Sequence, residues 1–86
     1  MSTHDLKTWP VFFEAIASGA KTFEIRKDDR PYFVGDVLNL QEWDPLTGRY
    51  TGRVAVRDVT YIARPSDGPI IGRVVADGFC IMGIRP

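Results

Sequence analysis

Eighty-six residues carrying eleven basic and eleven acidic side chains make a single small domain, residues 1–86, of zero formal net charge, with room for only one modest core. That balance excludes a whole-molecule attraction to nucleic acid or to an anionic membrane. One cysteine excludes an internal disulfide, and one cysteine with one histidine argues against a structural zinc site. No apolar run is long enough for a membrane helix. Met1-Ser2-Thr3-His4-Asp5 has no apolar signal region, so a cytoplasmic location is expected.

His4–Lys7 reads as a short first strand. Thr8 is placed to cap a helix, and Pro10 suits a first turn, where its missing N–H costs nothing. From Trp9 to Ala17 apolar residues recur at helical spacing, Trp9 with Phe13 and Phe12 with Ile16. Gly19 is a natural stop. A strand is expected at Lys21–Lys27, with Phe23 and Ile25 turned to the core and Thr22, Glu24 and Arg26 together on the outer face. Lys27–Pro31 is a charged turn closed by proline.

Val37–Trp43 forms the next strand. Asp44-Pro45-Leu46-Thr47-Gly48 turns the chain, and Thr51–Ala63 returns as a long β-branched hairpin partner. Its alternation slips near Arg57-Asp58, which suggests a bulge there. Arg64–Pro69 is a loop with two prolines. Ile70–Asp77 is ambiguous between elements and is a candidate cover for a site. Gly78–Ile84 reads as a last buried strand that encloses Cys80. One main helix and about five strands give an α+β, mostly β chain. That many strands on so small a core imply a sheet curled into a barrel.

The residues with chemistry are concentrated early. Lys21, Glu24 and Arg26 lie within six positions. Lys21 can meet phosphate or act as a base, Glu24 can accept a base or ribose hydrogen bond or work as a general acid/base, and Arg26 can hold phosphate or orient Glu24. An ordinary surface ion pair is the plainer alternative. His4 and Lys7 join this set if the first strand runs beside Lys21–Lys27. Trp9 and Trp43 are candidate stacking platforms, Trp43 the more exposed of the two. Asp28-Asp29-Arg30 is better read as a turn held by an aspartate–arginine pair than as a metal site, and no metal is expected. Arg49, Arg53, Arg57, Arg64 and Arg73 give the second half a basic excess suited to phosphate contact; a scattered solvated surface fits them as well. No phosphate loop, dinucleotide fingerprint, nucleophile elbow or zinc motif is present, and no cofactor is expected.

Gly19-x-Lys21-x-x-Glu24-x-Arg26 resembles the signature of the ASCH domains of the PUA-like superfamily. With His4-x-Leu6-Lys7-x-Trp9-Pro10, Phe13, Asp29-Arg30, Gly35-Asp36-x-Leu38 and Glu42-Trp43, the chain is most similar to a small uncharacterised ASCH-like branch of bacteria and phages, the DUF3850 type. The likeness runs from about His4 to Tyr61 and resumes at Gly78–Ile84.

It implies a small β-barrel with a helix at one end and a cleft beside the helix that holds Lys21, Glu24 and Arg26. It also implies RNA or nucleotide binding. Some relatives are enzymes, an amidohydrolase of acylated cytidines and a ribonuclease among them. The amidohydrolase pattern is incomplete here. Lys21 matches its lysine, but Glu24 stands where its threonine nucleophile would be, and no glutamate follows Glu42. The leading expectation is an RNA- or nucleotide-binding module, monomeric and off the membrane, with ligand contacts from His4, Lys7, Trp9, Lys21, Glu24, Arg26 and Trp43. A small hydrolase using Lys21 and Glu24 as its catalytic pair is the alternative, and a protein-interaction module is the third reading.

Overall fold

In a computed structural model describing residues 1–86, strand β1 (Thr3–Thr8) buries His4, Leu6 and Thr8 and exposes Thr3, Asp5 and Lys7. This is the two-residue alternation of a strand with one face on a core. Thr8 therefore belongs to the strand. The N-cap of helix α1 (Pro10–Ala17) is Trp9, and no side chain caps it, which corrects the expectation that Thr8 would. The helix turns Phe13 and Ile16 inward and leaves Trp9 and Phe12 about half exposed. The Arg57 guanidinium donates to the Ile16 carbonyl at 3.2 Å, placing a positive charge where the helix dipole is negative.

Gly19, at a φ of 84°, reverses the chain. That lets the Lys21 N–H reach the Ala15 carbonyl at 2.9 Å, which fixes Lys21 just ahead of strand β2 (Phe23–Lys27). Strands β3 (Val37–Asp44) and β4 (Arg49–Ala63) form the expected hairpin, and β5 (Phe79–Arg85) closes the chain. The order across the five-stranded sheet is β1-β3-β4-β5-β2. The β1–β3 pair is parallel, from Thr3 opposite Val37 to Thr8 opposite Glu42, a pairing that needs a crossover. The other pairs are antiparallel.

The fifteen residues of β4 curl the sheet by serving β3 with their first part and β5 with their last. The β4–β5 register shifts between Val59 and Tyr61, and the β3–β4 register between Gln41 and Trp43. The bulge thus lies beyond the Arg57-Asp58 position that alternation suggested. On β5, Gly83 faces this shift, and a Cβ there would stand 2.9 Å from the Thr60 hydroxyl.

Inside the curl, Leu38, Leu40, Cys80 and Met82 are fully enclosed. Burial of each large apolar side chain of this kind stabilises the fold by about 2 kcal/mol. Burial also pushes the Cys80 thiol up from its ordinary value, which keeps it in the unreactive form.

Two further expectations, the closed barrel and the phase of β2, are corrected, and the segment left open in the sequence is assigned. The sheet is a half-barrel, because β1 and β2 are its two edges and do not pair with each other. Residues 69–74 form a second short helix, α2 (Pro69–Val74), which follows a single 3-10 turn at Pro65–Asp67. The phase of β2 is the reverse of the one expected: Glu24 is 2% exposed, while Phe23 and Ile25 are 42% and 57% exposed. The interior beside α1 is a satisfied ion cluster, so the face of β2 that carries charge turns inward. A buried charge is tolerated where its partners surround it.

Candidate functional site

Glu24 is the centre of that cluster. Its Oε1 accepts from Lys21 Nζ at 2.8 Å, and its Oε2 from Arg26 Nε at 2.7 Å. The geometry follows from the local chain. Lys21 is held at the head of β2 by the turn after α1, and Arg26 lies two residues along the same strand face as Glu24. Arg26 also donates from a terminal nitrogen to Thr8 Oγ1 at 3.2 Å, and so reaches from one free edge of the half-barrel to the end of the other. Both cations keep about a fifth of their side-chain surface exposed. An ammonium has three donors and a guanidinium five, so each retains N–H groups for a ligand.

A cleft of about 500 Å3 opens over this cluster, lined by Lys7, Thr8, Trp9, Phe12, Lys21, Phe23, Glu24, Ile25 and Arg26. Lys21 Nζ stands 5.2 Å from the ring centres of both Phe12 and Phe23, within the range of cation–π attraction. Three cations and one carboxylate among the lining residues give the cleft a positive balance that the neutral whole molecule lacks.

The structure brings together Lys7, Trp9, Lys21, Glu24 and Arg26 of the residues singled out in the sequence. Trp9, 53% exposed, lines the cleft. Trp43 is less exposed than Trp9, against expectation, and does not line the cleft. It carries Lys7, whose Nζ stands 3.9 Å over its ring, and it meets Tyr50 edge-on at 4.9 Å.

His4 lies apart from the cleft. β1 runs beside β3 and not β2, and His4 is four residues up the strand from Thr8, roughly 13 Å away. There His4 Nε2 meets Asp36 Oδ2 at 2.8 Å, and the ring packs on Tyr32 at 4.7 Å. Asp36 also accepts from the N–H groups of Ser2 and Phe33, each at 3.0 Å. Burial raises the Asp36 pKa, but the hydrogen bonds from His4, Ser2 and Phe33 outweigh it and hold the carboxyl down at about 2.

Thr8, Phe12, Phe23 and Ile25 were not foreseen as lining residues. Adjacency is the available signal: Thr8 stands between Lys7 and Trp9, and Phe23 and Ile25 flank Glu24. Glu42 is a further buried acid. It accepts from the Thr51 hydroxyl at 2.7 Å and lies 3.7 Å from Arg53, which also bonds Glu14 of α1 and so ties the helix to the sheet. The charged turn is held by Asp28 with Arg64 at 2.6 Å, a more distant partner than the neighbouring Arg30. Residues 69–77 do not line the cleft, so it is open. No three of the histidine, cysteine, aspartate and glutamate side chains converge in a metal-holding group, and no helix is long and apolar enough to cross a membrane.

A family model described as a domain of unknown function, DUF3850, matches residues 3–84. An "Uncharacterized 12.9 kDa protein in GpA 3'region" of Escherichia phage P2 is 38% identical over 64 residues, which are 74% of this chain and 57% of the phage protein. The chain thus spans less than two thirds of that relative's length. With nearly its whole length matched by the family model, the chain belongs to the DUF3850 family.

Proposed function

We propose that the domain is a PUA-like, ASCH-type module whose cleft binds an unpaired nucleotide, free or within a short single-stranded RNA. The observation that carries this reading is the meeting of exposed aromatic rings with two cations fixed by one buried carboxylate. An aromatic base suits Trp9, Phe12 and Phe23, and a phosphate suits the spare donors of Lys21 and Arg26 with Lys7 at the rim. Glu24, with both oxygens engaged, aims the two cations rather than reading the ligand itself. Zero net charge and a small cleft favour a short ligand over a long duplex.

The test is direct binding of nucleotides and short single-stranded RNA and DNA at low and moderate salt. Lys21→Ala is expected to weaken binding by about tenfold and to flatten its salt dependence. Unchanged affinity in a folded Lys21→Ala, Arg26→Ala double variant overturns the assignment. The 2.8 Å Lys21–Glu24 contact favours one second reading, a hydrolase of a modified nucleoside or of RNA with these two as the acid–base pair. Mass analysis of the same samples separates the two readings. Converted ligand that disappears in a folded Glu24→Gln selects the hydrolase, and intact ligand selects the binding module.

A further inference from the structure

We infer that the free edge of β2 is a base-reading element, and that the main chain of Phe23 and Ile25 makes the sequence-bearing hydrogen bonds to an unpaired nucleobase. This rests on the nucleotide-binding reading of the same cleft and adds to it which atoms read the base and why the ligand must be unpaired.

The ladder between β2 and β5 fixes the direction of each peptide group. The Ile84 N–H bonds the Thr22 carbonyl at 3.0 Å, and the Asp28 N–H bonds the Gly78 carbonyl at 2.7 Å. In an antiparallel pair, hydrogen-bonded positions recur every second residue. Between these two fixed points Glu24 faces Met82 and Arg26 faces Cys80, so the peptide groups of Glu24 and Arg26 are turned to β5. Those of Phe23 and Ile25 are turned the other way, off the edge of the sheet, where no strand lies. No turn, loop or side-chain hydrogen bond takes them up either.

The cleft lies on that edge. A cavity above one face of a strand touches every second residue. This one touches Phe23, Glu24, Ile25 and Arg26 in succession, as a cavity wrapped around a strand's edge must. The Phe23 carbonyl and the Ile25 N–H, on either side of Glu24, form an acceptor–donor pair. It matches the adjacent donor and acceptor on the Watson–Crick edge of a base, the edge that a base-paired nucleotide hides. Phe23 and Phe12 supply apolar surface for the ring, and Lys21, 5.2 Å from both ring centres, stands where the base would meet its phosphate-bearing side. Backbone reading also accounts for the exposure of Phe23 and Ile25, two apolar side chains on a strand whose inner face is polar.

The experiment exploits a property of edge strands, which tolerate proline wherever the lost N–H is not part of the ladder. Ile25→Pro deletes the proposed donor and no sheet bond, and Ile25→Val keeps the donor. The probes are the four ribonucleoside 5′-monophosphates, ribose 5-phosphate and a short RNA presented single-stranded or as a duplex. The expected result is preference for single strand over duplex, and affinity for at least one monophosphate that falls about tenfold in Ile25→Pro and is kept in Ile25→Val. The weak binding of ribose 5-phosphate should be the same in all three proteins.

Amide hydrogen exchange on the unaltered protein supplies a readout independent of that variant's folding. The Ile25 amide should exchange freely in the unliganded protein and slow when the best monophosphate is bound. Binding that leaves the Ile25 amide exchanging freely overturns the inference while the proposed function stands. Protection of that amide before any ligand is added also overturns it. Failure of every nucleotide and single strand to bind overturns both.

Discussion

Glu24 and Asp36 are both enclosed carboxylates, 2% and 1% exposed, and they are enclosed for different ends. Asp36 is satisfied by a histidine and two backbone N–H groups, donors held by the fold itself. Together they pin the N-terminus and the turn before β3 to one point. Glu24 is satisfied by two long cationic side chains that keep a part of their surface in a cleft. One acid is a closed joint. The other is the fixed end of two charged arms. Burial alone does not separate the two carboxylates; what differs is their partners, a buried ring and two backbone N–H groups at Asp36 against two part-exposed cations at Glu24.

The comparison breaks most sharply at the joint. Asp36→Ala removes the shared acceptor of the buried His4 ring and of the Ser2 and Phe33 N–H groups and is expected to cost about 3 kcal/mol of stability in urea unfolding, with ligand affinity of the remaining folded protein unchanged. A loss of affinity at constant stability would merge the two regions. At the cleft, Lys21→Met with Arg26→Met leaves Glu24 buried and unpaired and should cost about 3 kcal/mol. Adding Glu24→Met to that pair should restore most of the stability but none of the binding. A triple variant that stays as unstable as the double would mean that the cluster holds the fold in the way Asp36 does.

The mildest probe is pH. Asp36 has a folded pKa of about 2 against an ordinary 3.8. The stabilisation it gives is therefore complete above about pH 4 and is lost as pH falls from there towards 2. Unfolding monitored across that window should show a decline that Asp36→Asn removes.

Much of this fold is legible in the chain, for reasons that differ by element. α1 is readable because its apolar residues keep helical spacing and Gly19 stops it. β3 and β4 are readable because the alternating Val37–Trp43 and the β-branched Thr51–Ala63 are separated by turn residues at Asp44–Gly48. The phase of β2 is not readable. Alternation shows that Phe23 and Ile25 share a face, but the choice of inner face depends on what the other strands bring, and here they bring Thr8 to Arg26. The His4–Asp36 pair is hidden for the same reason. Thirty-two residues separate them, and only the parallel β1–β3 pairing joins them. The Lys21, Glu24 and Arg26 side chains were found because they are local. Thr8 and Phe12 are not legible as cleft residues because Thr8 reads as a helix cap and Phe12 as part of the helix's apolar spacing, and only the folded positions of β1 and α1 bring them against β2.

The strand order also bears on how the molecule assembles. β3 and β4 are joined by a short turn and can pair early, whereas β2 must wait for β5, with Phe23 opposite Gly83, across most of the chain. Closing so long a loop costs entropy that near neighbours do not incur. The cleft lies between the last-docked pair and the end of β1, so it is completed after the core that supports it. Amide exchange is therefore expected to be faster in β2 than in β3, and a nucleotide bound as proposed would tie down the strand whose pairing closes the longest loop.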